Sequence, residues 1–144
     1  MTKTLVCGVD NSPTAAAAAR KAAELATALG AQLHLVSAYG KLEAETVEVG
    51  SDRFLVTNEM EADRITGAIT VDLHRDFPGL EISTWSGSGR PGEALVRAAE
   101  RLDADLIVVG NKRVQGIARV LGSIARDVAA HAPCDVYIAH THPA

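Results

Sequence analysis

Leu106-Ile-Val-Val109 places four apolar residues in a row, three of them β-branched. A strand that never alternates with polar residues has no face to give to solvent, so it belongs inside a parallel sheet covered by helices on both sides. Leu5 to Val9 reads the same way. Parallel neighbours cannot be joined by a tight hairpin; each pair needs a crossover of a dozen or more residues, usually a helix. These two runs therefore commit the chain to alternating strands and helices.

The rest of the sequence supplies that alternation. After the first strand, Asp10-Asn11-Ser12-Pro13 predicts a helix start, with Ser12 as N-cap and Pro13 at the first helical position. The alanine-rich stretch from Thr14 to Leu29 continues it until Gly30. Gln32 to Tyr39 is the second strand, and His34 within it reads as a packed or surface histidine. Gly40 to Asp52, with Glu43, Glu45 and Glu48, is too polar and irregular for core and is expected to be a mobile loop, either covering a ligand or forming plain surface. From Arg53 to Phe77, Met60, Ile65, Ile69 and Leu73 recur at helical spacing, with Glu59, Glu61 and Asp63 assigned to solvent. Pro78-Gly79 turns into a third strand, Leu80 to Ser86, followed by a helix from Glu93 to Leu102. Leu106 to Val109 leads through a glycine-rich, basic loop to a helix that starts at Gly122-Ser123, and Cys134 to Ala139 is the fifth strand. The expectation is a doubly wound parallel α/β sheet of five strands in the order 3-2-1-4-5, with residues 1–144 forming one domain. A hydrophobic content of 47% with 22% charged residues provides for its core.

Composition narrows the function classes. A formal net charge of -4 argues against nucleic-acid binding, which needs a broad basic surface, and aromatic residues at 3% argue against a base-stacking platform. The N-terminus runs straight into a strand without a signal region, and no apolar stretch reaches membrane-spanning length, so a cytoplasmic protein without membrane partners is expected. Cys7 and Cys134 form no CxxC pair and read as buried, reduced thiols. His140 and His142 read as a polar tail and not as a metal site.

Chemistry concentrates between Gly110 and Arg126. A strand, a glycine loop and a helix N-terminus together present backbone N–H groups and a positive dipole end, the geometry that holds a phosphate. In this reading Gly110 takes positive φ and lets a ligand approach, Ser123 adds a hydroxyl, and Lys112, Arg113, Arg119 and Arg126 add charge. The plainer alternative is a simple helix start with a solvated basic face. Asp10, at the carboxyl end of the first strand, either caps its own turn or accepts from a ribose or base. In the order 3-2-1-4-5, strands one and four are neighbours at the switch point, which brings Asp10 and Gly110 to one crevice. Gly87-Ser88-Gly89-Arg90-Pro91-Gly92 spells GxGxxG, but it follows the third strand and not the first, and the next strand ends in Gly110-Asn111 with no acid for a ribose; it is read as a decoy. No nucleophile is arranged with a base and no P-loop is present, so no catalytic residue is assigned.

Val9-Asp10-Asn11-Ser12, Leu35-Val36-Ser37-Ala38-Tyr39, Gly89-Arg90-Pro91 and Asp105-Leu-Ile-Val-Val-Gly110-Asn111 running to Gly122-Ser123 together resemble the universal stress protein family along essentially the whole chain. The resemblance implies a Rossmann-like fold of the adenine nucleotide alpha hydrolase-like kind and a stress-response function. It also implies an adenine nucleotide as ligand (ATP, AMP or cyclic AMP), with Mg2+ as a possible companion and at most weak ATP hydrolysis. By this resemblance Asp10 holds the ribose or base, Ala38 lines the adenine pocket, Gly89 borders the nucleotide, and Gly110, Gly122 and Ser123 receive the phosphates. The family's nucleotide-binding branch carries Gly-x2-Gly-x9-Gly-Ser/Thr. Here the distance from Gly110 to Gly122 is one residue short, and Lys112 or Arg113 stands at the middle glycine. Gly116 serves as a substitute in this reading, with Arg113 and Arg119 added from charge and position. The departure leaves a second reading open, a family member that binds no nucleotide and acts through protein partners not identified by sequence. Val136, Tyr137 and Ile138 resemble the family's last strand, through which its members commonly dimerise.

Overall fold

The computed structural model describes residues 2–10, 12, 14–39, 44–49, 52–111 and 121–141, with only the backbone course for 44–49 and 52–56. Its elements, in chain order, are β1 (Lys3–Gly8), α1 (Ala15–Leu29), β2 (Ala31–Ala38), β3 (Ala44–Val49), β4 (Asp52–Thr57), α2 (Asn58–Asp76), β5 (Ile82–Gly87), α3 (Pro91–Leu102), β6 (Leu106–Asn111), α4 (Ser123–His131) and β7 (Asp135–His140). Five strands form one sheet in the order β5-β2-β1-β6-β7, and every pairing in it is parallel. Counted along the main sheet this is the expected 3-2-1-4-5 α/β fold.

The two faces bury different residues because side chains alternate along each strand. Leu5, Cys7, Leu33, Leu35 and Val108 pack with the alanine face of α1 and with Leu73 of α2. Val6, Val36, Ile107 and Val109 pack with Ala94, Leu95, Ala98 and Ala99 of α3 and with Ala125 and Val128 of α4. The α1 face consists of Ala15, Ala18, Ala19, Ala22, Ala23 and Ala26, small enough to bring that helix close to the sheet. Gly30, at φ 66°, ends it with its N–H turned to the carbonyls of Ala26 and Thr27. At the amino end of the sheet, β1 and β6 are clasped by two bonds of 2.8 Å, from Thr4 N–H to Asp105 Oδ2 and from Asp105 N–H to the Thr4 carbonyl.

Several expectations are corrected. The stretch read as a mobile loop contains β3, which pairs antiparallel with β4 from Ala44↔Thr57 to Val49↔Asp52 as a separate two-stranded sheet. The following helix accordingly begins at Asn58 and not Arg53, with the Thr57 hydroxyl accepting the Met60 N–H at 3.0 Å as its cap. Met60, placed on the core face by periodicity, is exposed; Ala62, Thr66 and Leu73 are the buried positions. The first helix also starts later than its signal. Asp10 Oδ1 accepts the Ser12 N–H at 2.9 Å, forming an Asx turn that draws Ser12 out of the capping role, so Thr14 is the N-cap and Ala15 the first helical residue. Pro13 lies outside the described residues.

Candidate functional site

β1 pairs with β6 only from Leu5↔Leu106 to Cys7↔Val108, whereas its other edge stays bonded to β2 through Gly8↔Val36. Beyond Cys7 the two central strands part. α1 leaves over one face and α3 arrives over the other, and a cleft opens between them at the carboxyl edge, the switch point at which sheets of this kind bind ligands. It encloses about 630 Å³, counted out to its open mouth. Val9, Val36, Ala38, Leu95, Val109 and Ile124 give it apolar walls, and Asp10, Ser12, Thr14 and Thr141 place polar groups among them.

Three helices start at this cleft. Ala15 of α1, Pro91 of α3 and Ile124 of α4 all line it. At none of the three N-caps, Thr14, Arg90 and Gly122, does a side chain cap a helix N–H; the Thr14 hydroxyl pairs instead with that of Ser12 at 3.2 Å. α2, which contributes no residue to the cleft, is the helix whose N-terminus is capped by a side chain. Helix starts without side-chain caps bring the positive ends of three dipoles to one cleft, which favours an anion there. The Gly122 N–H is taken at 3.1 Å by the buried Asn111 Oδ1, a bond that joins the end of β6 to the start of α4.

Of the residues expected at the site, Asp10, Ala38 and Gly110 line the cleft. Gly122 and Ser123 immediately precede the lining residue Ile124, and Gly89 stands two residues before Pro91. Arg113, Gly116 and Arg119, with Lys112, lie outside the described residues. The reason for Gly110 differs from the expected one. Its φ is not positive; among the described glycines only Gly30 and Gly89 have that conformation. A Cβ at Gly110 would stand 3.1 Å from Cγ2 and Oγ1 of Thr141 and 3.3 Å from the Ala18 Cβ, so glycine here serves close packing. Sequence reasoning missed Thr14, Thr141 and the starts of α1 and α3 as parts of the site. Ser12-Pro13 reads as an ordinary helix start and the third helix is expected from Glu93, two residues after the Pro91 at which it begins, and nothing in one sequence says that those starts converge.

The GxGxxG segment is placed by packing as well. Gly87 closes β5 with its Cβ position 3.3 Å from the Ala94 Cβ, and Gly92 lies against Asp127 of α4. The Ser88 carbonyl accepts from Arg97 Nη2. No group of three or more His, Cys, Asp or Glu among the described residues is placed to hold a metal ion, and no described helix is long and apolar enough to cross a membrane.

Comparison with known proteins accounts for this architecture. A universal stress protein of Mycobacterium tuberculosis is 33% identical over 150 aligned positions, covering 96% of this chain and 97% of the relative. The crystal structure of a universal stress protein in complex with cAMP superposes with a TM-score of 0.74 at 30% identity, covering 97% of this chain and 98% of that one. The fold is also that of the Archaeoglobus fulgidus universal stress protein in complex with dAMP, with a TM-score of 0.68 at 23% identity over 96% of this chain and 97% of the other. The model of the universal stress protein family matches residues 1–140, and with the sheet order and the relatives in agreement, this chain belongs to that family.

Proposed function

We propose that the chain binds an adenine nucleotide in the switch-point cleft and acts in stress response by changing conformation or partner affinity when it does. The observation that carries this reading is the convergence of three helix starts without side-chain caps on one partly apolar cleft. The apolar walls suit a base, Asp10 suits ribose or base hydroxyl and amino donors, and the helix starts suit phosphate. The cAMP complex of a relative 30% identical to this chain supports the same ligand class. Asp10 accepts from base or ribose, Ala38 borders the base, Gly89 flanks the nucleotide, and Gly110, Gly122 and Ser123 face the phosphates. Arg113, Gly116 and Arg119 complete the phosphate side in this proposal.

A thermal-shift titration with ATP, ADP, AMP and cyclic AMP, with and without Mg2+, tests it. At one hundred times Kd, binding to the native state adds about 2.7 kcal/mol, a rise of about 5–10 °C for a chain of this size. Gly122→Val, which obstructs phosphate approach, abolishes the shift while unfolding stays cooperative. No shift with any of the four at millimolar concentration overturns the nucleotide reading and favours a member that works through protein contacts.

The dimer belongs to the same proposal. β7 is the edge strand of the sheet, with Tyr137 39% exposed, and an unpaired edge of this kind is covered by a second strand in stable assemblies. Val136 and Ile138 face inward to the α4 side of the core, which makes Tyr137→Glu a cleaner probe than a charge at Ile138. A monomer in light scattering is expected for that variant and a dimer for the parent.

A further inference from the structure

β2 and the edge strand β5 are joined by a side-chain bond that the nucleotide reading does not use. The Trp85 Nε1–H donates to His34 Nδ1 at 2.9 Å, with the two rings 6.2 Å apart and tilted by 58°. An indole nitrogen only donates, so Nδ1 must be bare, and the single proton of the neutral imidazole sits on Nε2. Nε2 is buried with no hydrogen-bond partner among the described residues, in a residue 7% exposed. A second proton therefore has one place to go, Nδ1, where it would meet the indole N–H head on. Taking up a proton from solvent breaks the bond to Trp85 and leaves a buried cation.

The surroundings offer that cation little. On the neighbouring strands the register partners of His34 are Val6 and Ser83, neither of them charged. α3 closes over this face with Ala94, Leu95, Ala98 and Ala99, while its titratable groups, Glu93, Arg97, Glu100 and Arg101, are exposed. Glu81, exposed just ahead of β5, attracts a proton to His34, but the cost of burial outweighs it and holds the imidazole below its ordinary range.

We infer that the His34–Trp85 bond is an acid-released latch that fixes β5 to β2 and, through them, one wall of the cleft. Four residues after His34, β2 ends at the lining residue Ala38, whose register partner is Gly87 at the end of β5. The chain then passes through Gly89 to Pro91, which also lines the cleft. The backbone ladder from Leu33↔Ile82 to Ala38↔Gly87 remains when the latch breaks; what is lost is the side-chain tie between the two strands on the face turned to α3, whose Leu95 and Pro91 line the cleft. The latch stands on its own geometry; only its effect on ligand affinity rests on the nucleotide reading.

Trp85 is the one tryptophan of the chain, so its emission reports the bond directly. Emission and far-ultraviolet circular dichroism are followed together from about pH 8 to about pH 4.5, the range in which an imidazole titrates. The parent protein is compared with His34→Gln, which keeps an acceptor oxygen but takes up no proton. The expected result is a one-proton emission change below pH 6.5, with helical dichroism unchanged, that His34→Gln lacks. An emission change shared by His34→Gln, or one that occurs only together with loss of helix, overturns the latch. If His34→Gln does not fold, Trp85→Phe decides: the His34 ring resonances titrate at higher pH without the indole donor, and an unmoved titration overturns the proposal. Cyclic AMP affinity supplies the second arm, falling by up to about tenfold per pH unit below the transition where binding requires the closed latch. Affinity that stays level through a clear emission transition overturns the link to the cleft, and absence of all nucleotide binding overturns the nucleotide reading while the latch stands.

Discussion

Gly92→Ala tests whether the last glycine of the GxGxxG segment serves helix packing. Gly92 is the second residue of α3, and an ideal Cβ built on it would stand 2.8 Å from the Asp127 Cβ, 3.3 Å from Oδ2 and 3.5 Å from Cγ. Carbon atoms pack best at about 3.5–4.0 Å, so α3 and α4 must separate by roughly 1 Å at this crossing. The nearest atom is a Cβ, which moves only with its helix, so rotation of a side chain gives no relief. Overpacking of this kind costs about 1–3 kcal/mol, and the better helix propensity of alanine returns at most about 1 kcal/mol. The expected net loss is about 1–2 kcal/mol, or a Tm lower by about 3–8 °C in calorimetry. A double-mutant cycle locates the cause. Asp127→Gly removes the offending Cβ and should recover most of the loss, a coupling of about 1 kcal/mol, whereas Asp127→Ala keeps the Cβ and recovers little. A Gly92→Ala variant as stable as the parent, or equal rescue by both changes at Asp127, refutes the packing argument.

Other consequences are more direct. Leu95 is 2% exposed, packs on Gly8 and lines the cleft, so Leu95→Ala should cost about 2–5 kcal/mol in denaturant unfolding and enlarge the cleft at once. Burial pushes the Cys7 thiol up to about 12, so a disulfide reagent at pH 8 should leave it untouched until the protein unfolds; rapid modification of both cysteines in the native state would contradict the core assignment. Because His34 stays neutral below its ordinary value of 6.5, the folded chain binds fewer protons there than the unfolded chain; its contribution to stability is intact above pH 6.5 and declines as the pH falls below it. A profile of Tm against pH should lose that part of its acid slope in His34→Gln.

The sheet order was legible because strands buried on both faces cannot hide their composition: Leu5 to Val9 and Leu106 to Val109 have no polar alternation. The hairpin was not. Its strands carry Glu45 and Glu48 among apolar residues, and antiparallel pairing in a sheet of its own leaves no continuous run to detect. Two local signals were nevertheless present, the strand-forming Phe54-Leu55-Val56 and a threonine at position 57 able to cap the helix behind it. Helical periodicity through Ile65, Ile69 and Leu73 was extended backwards over both. At the cleft, Asp10 and Gly110 were legible because strand ends at a switch point follow from topology, whereas Ala38 came from the family resemblance. The starts of α1 and α3 were not, because a cap signal gives the position of a helix start and not its direction.

The small residues at the strand ends explain the shape of the cleft. A Cβ at Gly8 would reach within 2.6 Å of Leu95 Cδ1, one at Gly87 within 3.3 Å of the Ala94 Cβ, and one at Gly110 within 3.1 Å of Thr141. Glycine at these ends of β1, β5 and β6 lets α3 and the segment after β7 settle directly on the carboxyl edge. Leu95 then forms part of the floor, and the open space lies above the strand ends, among the helix starts. A ligand in that space meets the positive ends of the helix dipoles at α1, α3 and α4 alongside the apolar side chains that wall it. Recognition by backbone is insensitive to side-chain replacement, so a glycine loop of altered spacing does not by itself remove an anion site. The three uncapped helix starts offer the same positive potential whatever the intervening residues are. The altered spacing then bears on which phosphate arrangement fits, and a series from adenosine to AMP, cyclic AMP, ADP and ATP reads that directly. Affinity that rises from adenosine to a nucleotide of one phosphate shows the anion site, and affinity indifferent to phosphate refutes it.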